Sequence, residues 1–171
     1  MTHQFFERHI APLRHKLYRF ALSITCNAHD AEDVVQEVLE KIWKVGEQPV
    51  NNWEAWCMTL TRNRSIDRQR AKANSRANSL DALQGRADAS ASADRITETD
   101  DLAEQARRLM RQLPEKQRLT MHLRDVEEMT YDEIAQTLDL TVDQVKINLH
   151  RARKAIREQL IQLISIQKQA S

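Results

Sequence analysis

The chain has 171 residues, of which only two are glycine and three are proline, while 30% are charged. So few turn-forming residues argue against a strand-rich sandwich or barrel, and they leave no glycine-rich loop that would bind a phosphate. The 26 basic and 25 acidic side chains give a net charge of +1, so net charge alone identifies no partner. No apolar run approaches the roughly 20 residues that span a bilayer, and the N-terminus lacks the pattern of a signal peptide. We therefore expect a soluble, cytoplasmic, all-α protein.

The composition divides the chain into three parts. Residues 77–101 hold few large apolar side chains, and within them residues 81–101 carry six acidic and two basic side chains. A segment of this kind cannot bury enough apolar surface to offset the entropy that ordering would cost. We expect a flexible acidic linker there, joining two small helical domains, residues 1–76 and residues 102–171.

Three helical patterns are predicted in the first domain. Apolar residues recur every three or four positions over Phe6–Ile24, with Pro12 either near a helix start or at a kink. A second helix is expected from about Ala28 to Val45. A third begins near Asn51–Asn52, because asparagine is a favourable N-cap. The apolar residues that this third helix is expected to bury are Trp53, Trp56, Cys57 and Leu60.

The second domain is predicted to contain a helix-turn-helix. One helix spans roughly Leu102–Leu113, and Pro114 opens the next one at a first-turn position. Thr130–Glu133 and Thr141–Gln144 are both capping boxes, and each marks the start of a helix. A short helix, a three-residue turn and a longer helix are the elements of this motif.

The last predicted helix has an apolar face and a basic face. Residues 144–157 contain five basic side chains and no acidic one. Because the second helix of a helix-turn-helix lies in the DNA major groove, we expect this face to bind DNA; an ordinary solvated helix face is the alternative. Ile147 either packs against a thymine methyl group or is a stray exposed apolar residue. The apolar face comprises Val145, Leu149, Ala152, Ile156, Leu160 and Leu163, and the opposite face Asp143, Lys146, Ile147, His150, Arg151, Lys154 and Arg157.

Residues 62–76 form a second basic segment, with six basic side chains and one acidic side chain. Such a segment suits phosphate contacts that supply affinity, although a solvated helix end is the alternative. Trp53 and Trp56 either stack on unpaired bases or, as their apolar neighbours favour, pack in the core.

An acidic stripe is predicted on the second helix. Asp30, Asp33, Glu37 and Glu40 follow one another at intervals of three or four, with Gln36 beside them. Like charges at this spacing weaken a helix slightly, so a cationic protein partner would explain them. The helix N-terminus alone accounts for the first two, and a metal site would lack the usual Glu-x-x-His pairing.

Catalytic and cofactor sites are not predicted. Cys26 and His29 form only a Cys-x-x-His pair, which is too little for a structural zinc site. No serine or cysteine has an evident base nearby in the sequence or lies in a nucleophile elbow. We expect a binding protein that is not an enzyme and carries no metal or cofactor.

Three segments resemble the extracytoplasmic-function (ECF) sigma factors of the sigma-70 family. The segment Asp30–Trp43, DAEDVVQEVLEKIW, is similar to their polymerase-binding region 2.2. The segment Trp56–Arg70, WCMTLTRNRSIDRQR, is similar to regions 2.3 and 2.4. Region 4 is matched by Leu113–Arg118, Met129–Ala135 and Leu149–Lys154. The three occur in the family's order over nearly the whole chain.

The resemblance implies a three-to-four-helix bundle of sigma region 2 in residues 1–76 and a region 4 helix-turn-helix in residues 102–171. It implies a subunit that binds core RNA polymerase, recognises the −35 and −10 promoter elements and melts the −10 region. The implied partners are core RNA polymerase, promoter DNA and an anti-sigma factor, either membrane-bound or soluble, with no small-molecule substrate.

The resemblance also assigns roles to individual residues. Asn63 matches the asparagine that holds an unstacked base of the −10 element, and a loop near Asn74–Asn78 would shape −10 specificity. Core-polymerase binding falls on Asp30, Asp33, Gln36 and Glu37. Contact with −10 DNA falls on Arg62, Asn63, Arg64, Arg68, Arg70 and Lys72. Contact with −35 DNA falls on Lys146, Ile147, Asn148, His150, Arg151, Arg153 and Lys154.

Two other functions fit the same residues. A stand-alone helix-turn-helix regulator would bind operators as a dimer, although the first domain shows no evident self-complementary heptad seam. An interaction adaptor would use its first domain to bind a basic protein, with DNA contact incidental.

Overall fold

The computed structural model describes residues 2–46, 49–78, 105 and 108–169, and every regular element within those ranges is helical. The chain separates into two compact units, Met1–Ser90 and Ala91–Ser171. The all-α prediction is confirmed for the described residues. The predicted linker, residues 77–101, lies outside them apart from its first two residues.

Within the described residues of the first unit, the α-helices are α1 (His3–His9), α2 (Arg14–Thr25), α3 (Ala28–Val45) and α4 (Trp53–Asn78). Pro12 lies in a 3-10 turn between α1 and α2, so the first predicted pattern is two helices. Asn27 caps α3 by accepting a hydrogen bond from the Asp30 amide at 2.9 Å. Asn52 caps α4 by accepting one from the Ala55 amide at 3.0 Å. Both helix starts are as predicted.

The core of the first unit lies where α2, α3 and α4 meet. Cys57 is buried as predicted, but Trp53, Trp56 and Leu60 are only half-buried. The two tryptophan rings lie edge to face, 5.4 Å apart, and Phe5 of α1 adds a third ring 5.3 Å from Trp53. The core itself consists mainly of Leu17, Phe20, Ile24, Val34, Val38, Ile42, Ala55 and Met58.

The basic segment of the first unit is helical throughout its length. α4 continues to Asn78, so the expectation of a loop near Asn74–Asn78 was wrong. The alternation of alanine with charged or amide residues there is compatible with a helix, and no glycine or proline interrupts it. Residues 74–78 therefore continue α4 and do not form a loop.

The second unit contains the predicted helix-turn-helix. Its elements are α5 (residues 108–112), α6 (Glu115–Met121), a π-helical turn (His122–Val126), α7 (Tyr131–Leu138) and α8 (Val142–Gln169). Both capping boxes form: Thr130 pairs with Glu133, and the Thr141 amide donates to the Gln144 side-chain oxygen at 2.9 Å. Asp139, with φ 55°, turns the chain between α7 and α8. The part of the first predicted helix before residue 108 lies outside the described residues, except for residue 105.

The core of the second unit forms along one side of α8. Val145, Leu149, Ala152 and Ile156 are buried as predicted. Ala152 and Ile156 pack against Leu109 and Leu113, with Leu160 partly buried beside them. The buried stripe ends there, because Leu163 is exposed. Among the helices of the described ranges, none is both long and apolar enough to cross a membrane.

Candidate nucleic-acid interface

The acidic stripe of α3 faces the basic segment of α4, with Arg68 at the centre of the contact. The Arg68 guanidinium donates to Asp30 at 3.1 Å and to Glu37 at 3.2 Å, and it also binds Asp33. These carboxylates lie within two turns on one side of α3, so one guanidinium with five N–H donors reaches all three. Partial burial disfavours the charged form of Arg68, but the hydrogen bond to Asp30 and the nearby carboxylates raise its pKa.

Two further cations lie on either side of Arg68. The Lys72 ammonium lies 2.5 Å from the second carboxylate oxygen of Asp30, and Arg64 binds Glu37. The Asp30 side chain is only 7% exposed. Its burial raises the pKa, but Lys72 and Arg68 outweigh the burial, so the pKa of Asp30 lies below its ordinary value. This carboxylate is therefore charged and paired inside the first unit.

These six residues form what we call the α3–α4 network, and they bring together two sites that the sequence analysis assigned to different partners. The paired positions lie between 27 and 42 residues apart in the chain, so their contact depends on the packing of α3 against α4. A signal was present in the sequence, because the acidic and the basic positions recur at the same helical spacing. The network consists of Asp30, Asp33, Glu37, Arg64, Arg68 and Lys72.

The outer face of α3 stays open beside the network. Gln36 is exposed and donates to Glu40 at 3.3 Å. Both residues border a groove between α2 and α3 that Tyr18, Leu39 and Trp43 also line. The Trp43 ring is 43% exposed, although it is large and apolar. The sequence analysis quoted Trp43 within a motif but did not list it as a site residue.

The predicted −10 residues outside the network lie on the exposed part of α4. Asn63 and Arg70 are exposed, and Arg62 is half-buried. Arg62 donates to the Asn63 side-chain oxygen at 3.4 Å. Arg70 forms no ion pair with any residue that the structure describes. This surface therefore presents one amide and two guanidinium groups that form no ion pair with a described carboxylate.

The predicted −35 residues of α8 lie on the sides of the helix that the buried stripe leaves open. Six of the seven are exposed and Asn148 is half-buried. Ile147 is 49% exposed, which is a large fraction for an isoleucine. His150 and Arg151 form no ion pair with the described part of the chain. Lys146 and Lys154 have acidic neighbours on α8, Asp143 at 3.6 Å and Glu158 at 3.9 Å, and both lysines remain exposed.

Arg153 is different, because its guanidinium is already paired. It binds Asp125 of the π-helical turn through two nitrogens, one of them 3.2 Å from the carboxylate. The hydrogen bond to Asp125 is the main reason that the pKa of Arg153 is raised. The sequence analysis did not single out Asp125, which lies 28 residues before its partner.

Metal-ligating side chains and the Cys57 thiol bear on chemistry other than binding. Within the described ranges, no group of three or more His, Cys, Asp or Glu side chains is placed to hold a metal ion. Cys57 is buried, and burial together with Glu54 raises the pKa of its thiol to about 12, so the thiolate is scarce at neutral pH.

Family models match both units of the chain. The model for Sigma-70 region 2 matches residues 8–75, and the model for Sigma-70, region 4 matches residues 103–156. The chain is 28% identical over 147 residues to the ECF RNA polymerase sigma factor SigE of Mycolicibacterium smegmatis. That match covers 85% of this chain but 57% of SigE. It is 27% identical to the ECF sigma factor SigW of Bacillus subtilis, over 85% of this chain and 83% of SigW.

Solved structures share the fold. A structure of the sigma factor RpoE from Bartonella quintana, in complex with the anti-sigma factor NepR, has a TM-score of 0.71 and 23% identity, over 91% of this chain and 96% of that one. A structure of CnrH with the cytosolic domain of CnrY has a TM-score of 0.66 and 19% identity, over 93% of this chain and 89% of that one. From its two family regions and its curated relatives, the chain belongs to the sigma-70 family of RNA polymerase sigma factors, in the ECF group.

Proposed function

We propose that this chain binds core RNA polymerase and directs transcription initiation at promoters by recognising −35 and −10 elements and melting the −10 region. In this proposal residues 1–76 bind polymerase and the −10 element, and residues 102–171 bind the −35 element. The observation that carries the proposal is the helix-turn-helix whose second helix presents exposed basic side chains, in a chain that also has sigma region 2. The chain acts as a binding subunit and not as an enzyme.

The −35 element is read by α8. Helices of this motif place the N-terminal part of the second helix against the base edges of the major groove. His150 and Arg151 lie on the exposed face without competing carboxylates among the described residues. Ile147 is exposed one helical turn before Arg151, which supports its assignment to a thymine methyl group. The lysines Lys146 and Lys154 contribute phosphate contacts.

The −10 element binds the exposed part of α4. Asn63 receives the unstacked base, and Arg62 and Arg70 contact the backbone around it. Unstacking a base costs a few kcal/mol, and positioned polar groups must offset that cost. Arg64, Arg68 and Lys72 reach phosphates only by exchanging carboxylate partners for them, because all three are already bound within the α3–α4 network.

Core polymerase binds the outer face of α3. Asp30 is buried and Asp33 and Glu37 are partly covered, so we assign the contact to the exposed groups Gln36, Glu40 and Trp43. A large exposed aromatic ring beside polar groups is typical of the centre of a protein interface. The proposed polymerase contact thus stays on α3, the helix predicted for it, but it shifts toward the C-terminal half of that helix.

Two further expectations belong to the same proposal. Sigma factors of similar fold have been solved with anti-sigma proteins, and we propose that an anti-sigma partner, membrane-bound or soluble, binds this chain. Its site of action is the cytoplasm, where RNA polymerase transcribes the chromosome. The proposed binding of polymerase, promoter DNA and an anti-sigma partner requires no small-molecule substrate.

Run-off transcription with core RNA polymerase tests the proposal. The template is a promoter-enriched pool of the host's DNA, transcribed with and without this chain. We expect initiation at discrete sites that depends on the chain. Glu40→Lys on the outer face of α3 should reduce transcription, whereas Glu7→Lys, the same charge change on α1, should not.

The alternatives give different results in the same experiment. A stand-alone regulator would bind duplex DNA tightly by itself and would not stimulate core polymerase. An adaptor would still bind its basic protein partner after Arg151→Glu. The proposed sigma factor would lose transcription initiation in the same variant. Absence of stimulation by the unaltered chain would refute the proposal.

A further inference from the structure

Arg153 is exposed on α8 and is assigned to −35 DNA by the family resemblance, but its contacts point to another role. Two of its nitrogens bind the carboxylate of Asp125. Two parallel hydrogen bonds between a guanidinium and a carboxylate define the relative orientation of both groups. By contrast, Arg151, two residues earlier, forms no ion pair with the described residues. Residues two positions apart lie about 160° apart around a helix, so Arg153 and Arg151 lie on different sides of α8, and only Arg153 is paired.

Asp125 is held in a segment with an unusual backbone. The turn His122–Val126 is π-helical, a geometry that is rare and that often occurs at functional sites. The Glu127 amide donates to the His122 carbonyl at 3.2 Å, and the His122 Nε2 lies 3.2 Å from a carboxylate oxygen of Glu127 inside the unit. Arg124 donates to the Met129 carbonyl at 2.7 Å and lies over the Tyr131 ring. The turn is thus fixed at both of its ends.

The pair connects this turn to the helix that carries the reading residues. The buried stripe of α8 is formed by Val145, Leu149, Ala152 and Ile156, which are aliphatic. This packing decides which face of α8 is buried, but the hydrophobic effect is itself non-directional. A bidentate ion pair is directional, so the Arg153–Asp125 contact adds a directional restraint to that packing.

We propose that Arg153 is a positioning residue, which through Asp125 fixes the rotation of α8 and thereby aims His150 and Arg151 at the −35 element. This inference rests on the proposed function. It differs from a direct contact between Arg153 and DNA, in which the pair with Asp125 would be incidental and would open when a phosphate binds.

A charge swap separates the two roles. The variants are Arg153→Asp, Asp125→Arg and the double exchange, and the readout is run-off transcription with core polymerase. A positioning role predicts that each single variant lowers initiation by roughly tenfold, the loss expected when one base contact worth about 1.4 kcal/mol is misaligned. The double exchange should recover most of that loss, because the pair forms again with its charges reversed.

Arg151→Asp is the matched control. It makes the same charge change on the same helix, two residues away and without a contact to Asp125, and combining it with Asp125→Arg should give no recovery. If the double exchange of Arg153 and Asp125 is as inactive as Arg153→Asp alone, the inference is refuted and Arg153 contacts DNA itself.

Hydrogen exchange of the α8 amides gives a readout that needs no promoter. The positioning role predicts faster exchange in both single variants of the pair and restored protection in the double exchange. Unchanged protection in Arg153→Asp would refute the inference. If the unaltered chain fails to stimulate polymerase, the proposed function fails on that result, while hydrogen exchange still decides whether the pair fixes α8.

Discussion

Replacing Arg68 by methionine should destabilise the first unit by about 2–4 kcal/mol. Arg68 binds three carboxylates, and one of them, Asp30, is almost fully buried. Removing the partner of a buried charge costs about 3–5 kcal/mol, whereas a pair open to water contributes about 1 kcal/mol or less. Asp30 keeps Lys72, and water reaches Asp33 and Glu37, so the expected loss lies between these limits. Methionine retains the apolar stem, which separates the lost charge from lost packing.

Urea unfolding followed by tryptophan fluorescence measures this loss in the full chain. The three tryptophans, Trp43, Trp53 and Trp56, all lie in the first unit, so their emission reports that unit. Arg70→Met is the matched control, because it removes the same charge from an exposed position of the same helix. The control should change the free energy of unfolding by less than about 0.5 kcal/mol. Equal small losses in both variants would show that the α3–α4 network does not stabilise the unit.

Three other outcomes are expected. The pKa of Asp30 in the folded chain is lowered. Its stabilising effect is therefore complete above the ordinary aspartate pKa of about 3.9, and it is lost as the pH falls through the folded pKa. The urea midpoint of unfolding should fall in that acidic window, and it should fall less in Asp30→Asn. Glu37→Gln should tighten binding to single-stranded DNA and steepen its salt dependence by about 0.7 in the logarithmic slope, because Arg64 is freed; Glu32→Gln, an exposed control on α3, should change neither. A thiol reagent at neutral pH should modify Cys26 quickly and Cys57 only on unfolding, since the latter is buried with its pKa raised to about 12; two fast thiols would contradict this.

Local signals predicted much of the fold. The starts of α4 and of both helices of the helix-turn-helix follow from side chains that cap within three residues, namely Asn52, Thr130 and Thr141. Such contacts depend on the neighbouring sequence alone, so they can be derived before any packing is known. The full length of α4 was missed because charged residues and alanine suit both a helix and a solvated tail.

Long-range pairing explains what sequence analysis missed at the site. Arg68 was assigned to DNA as part of a basic segment, and Arg153 was assigned to DNA through the family resemblance. Their carboxylate partners, Asp30 and Asp125, lie 38 and 28 residues earlier in the chain. Only the packing of the helices brings these charges together, and charge counts along the sequence contain no information on that packing.

The α3–α4 network also affects how fast each unit finds DNA. Three carboxylates and three cations within a few ångströms cancel one another beyond the Debye length, which is about 8 Å at physiological salt. The exposed face of α8 has no comparable neutralisation around His150 and Arg151 in the part of the chain that the structure describes. Electrostatic attraction raises association rates over long distances only where charge is uncompensated. We therefore expect α8 to contribute to the long-range attraction of DNA, and the three cations of the α3–α4 network to contact DNA only at short range.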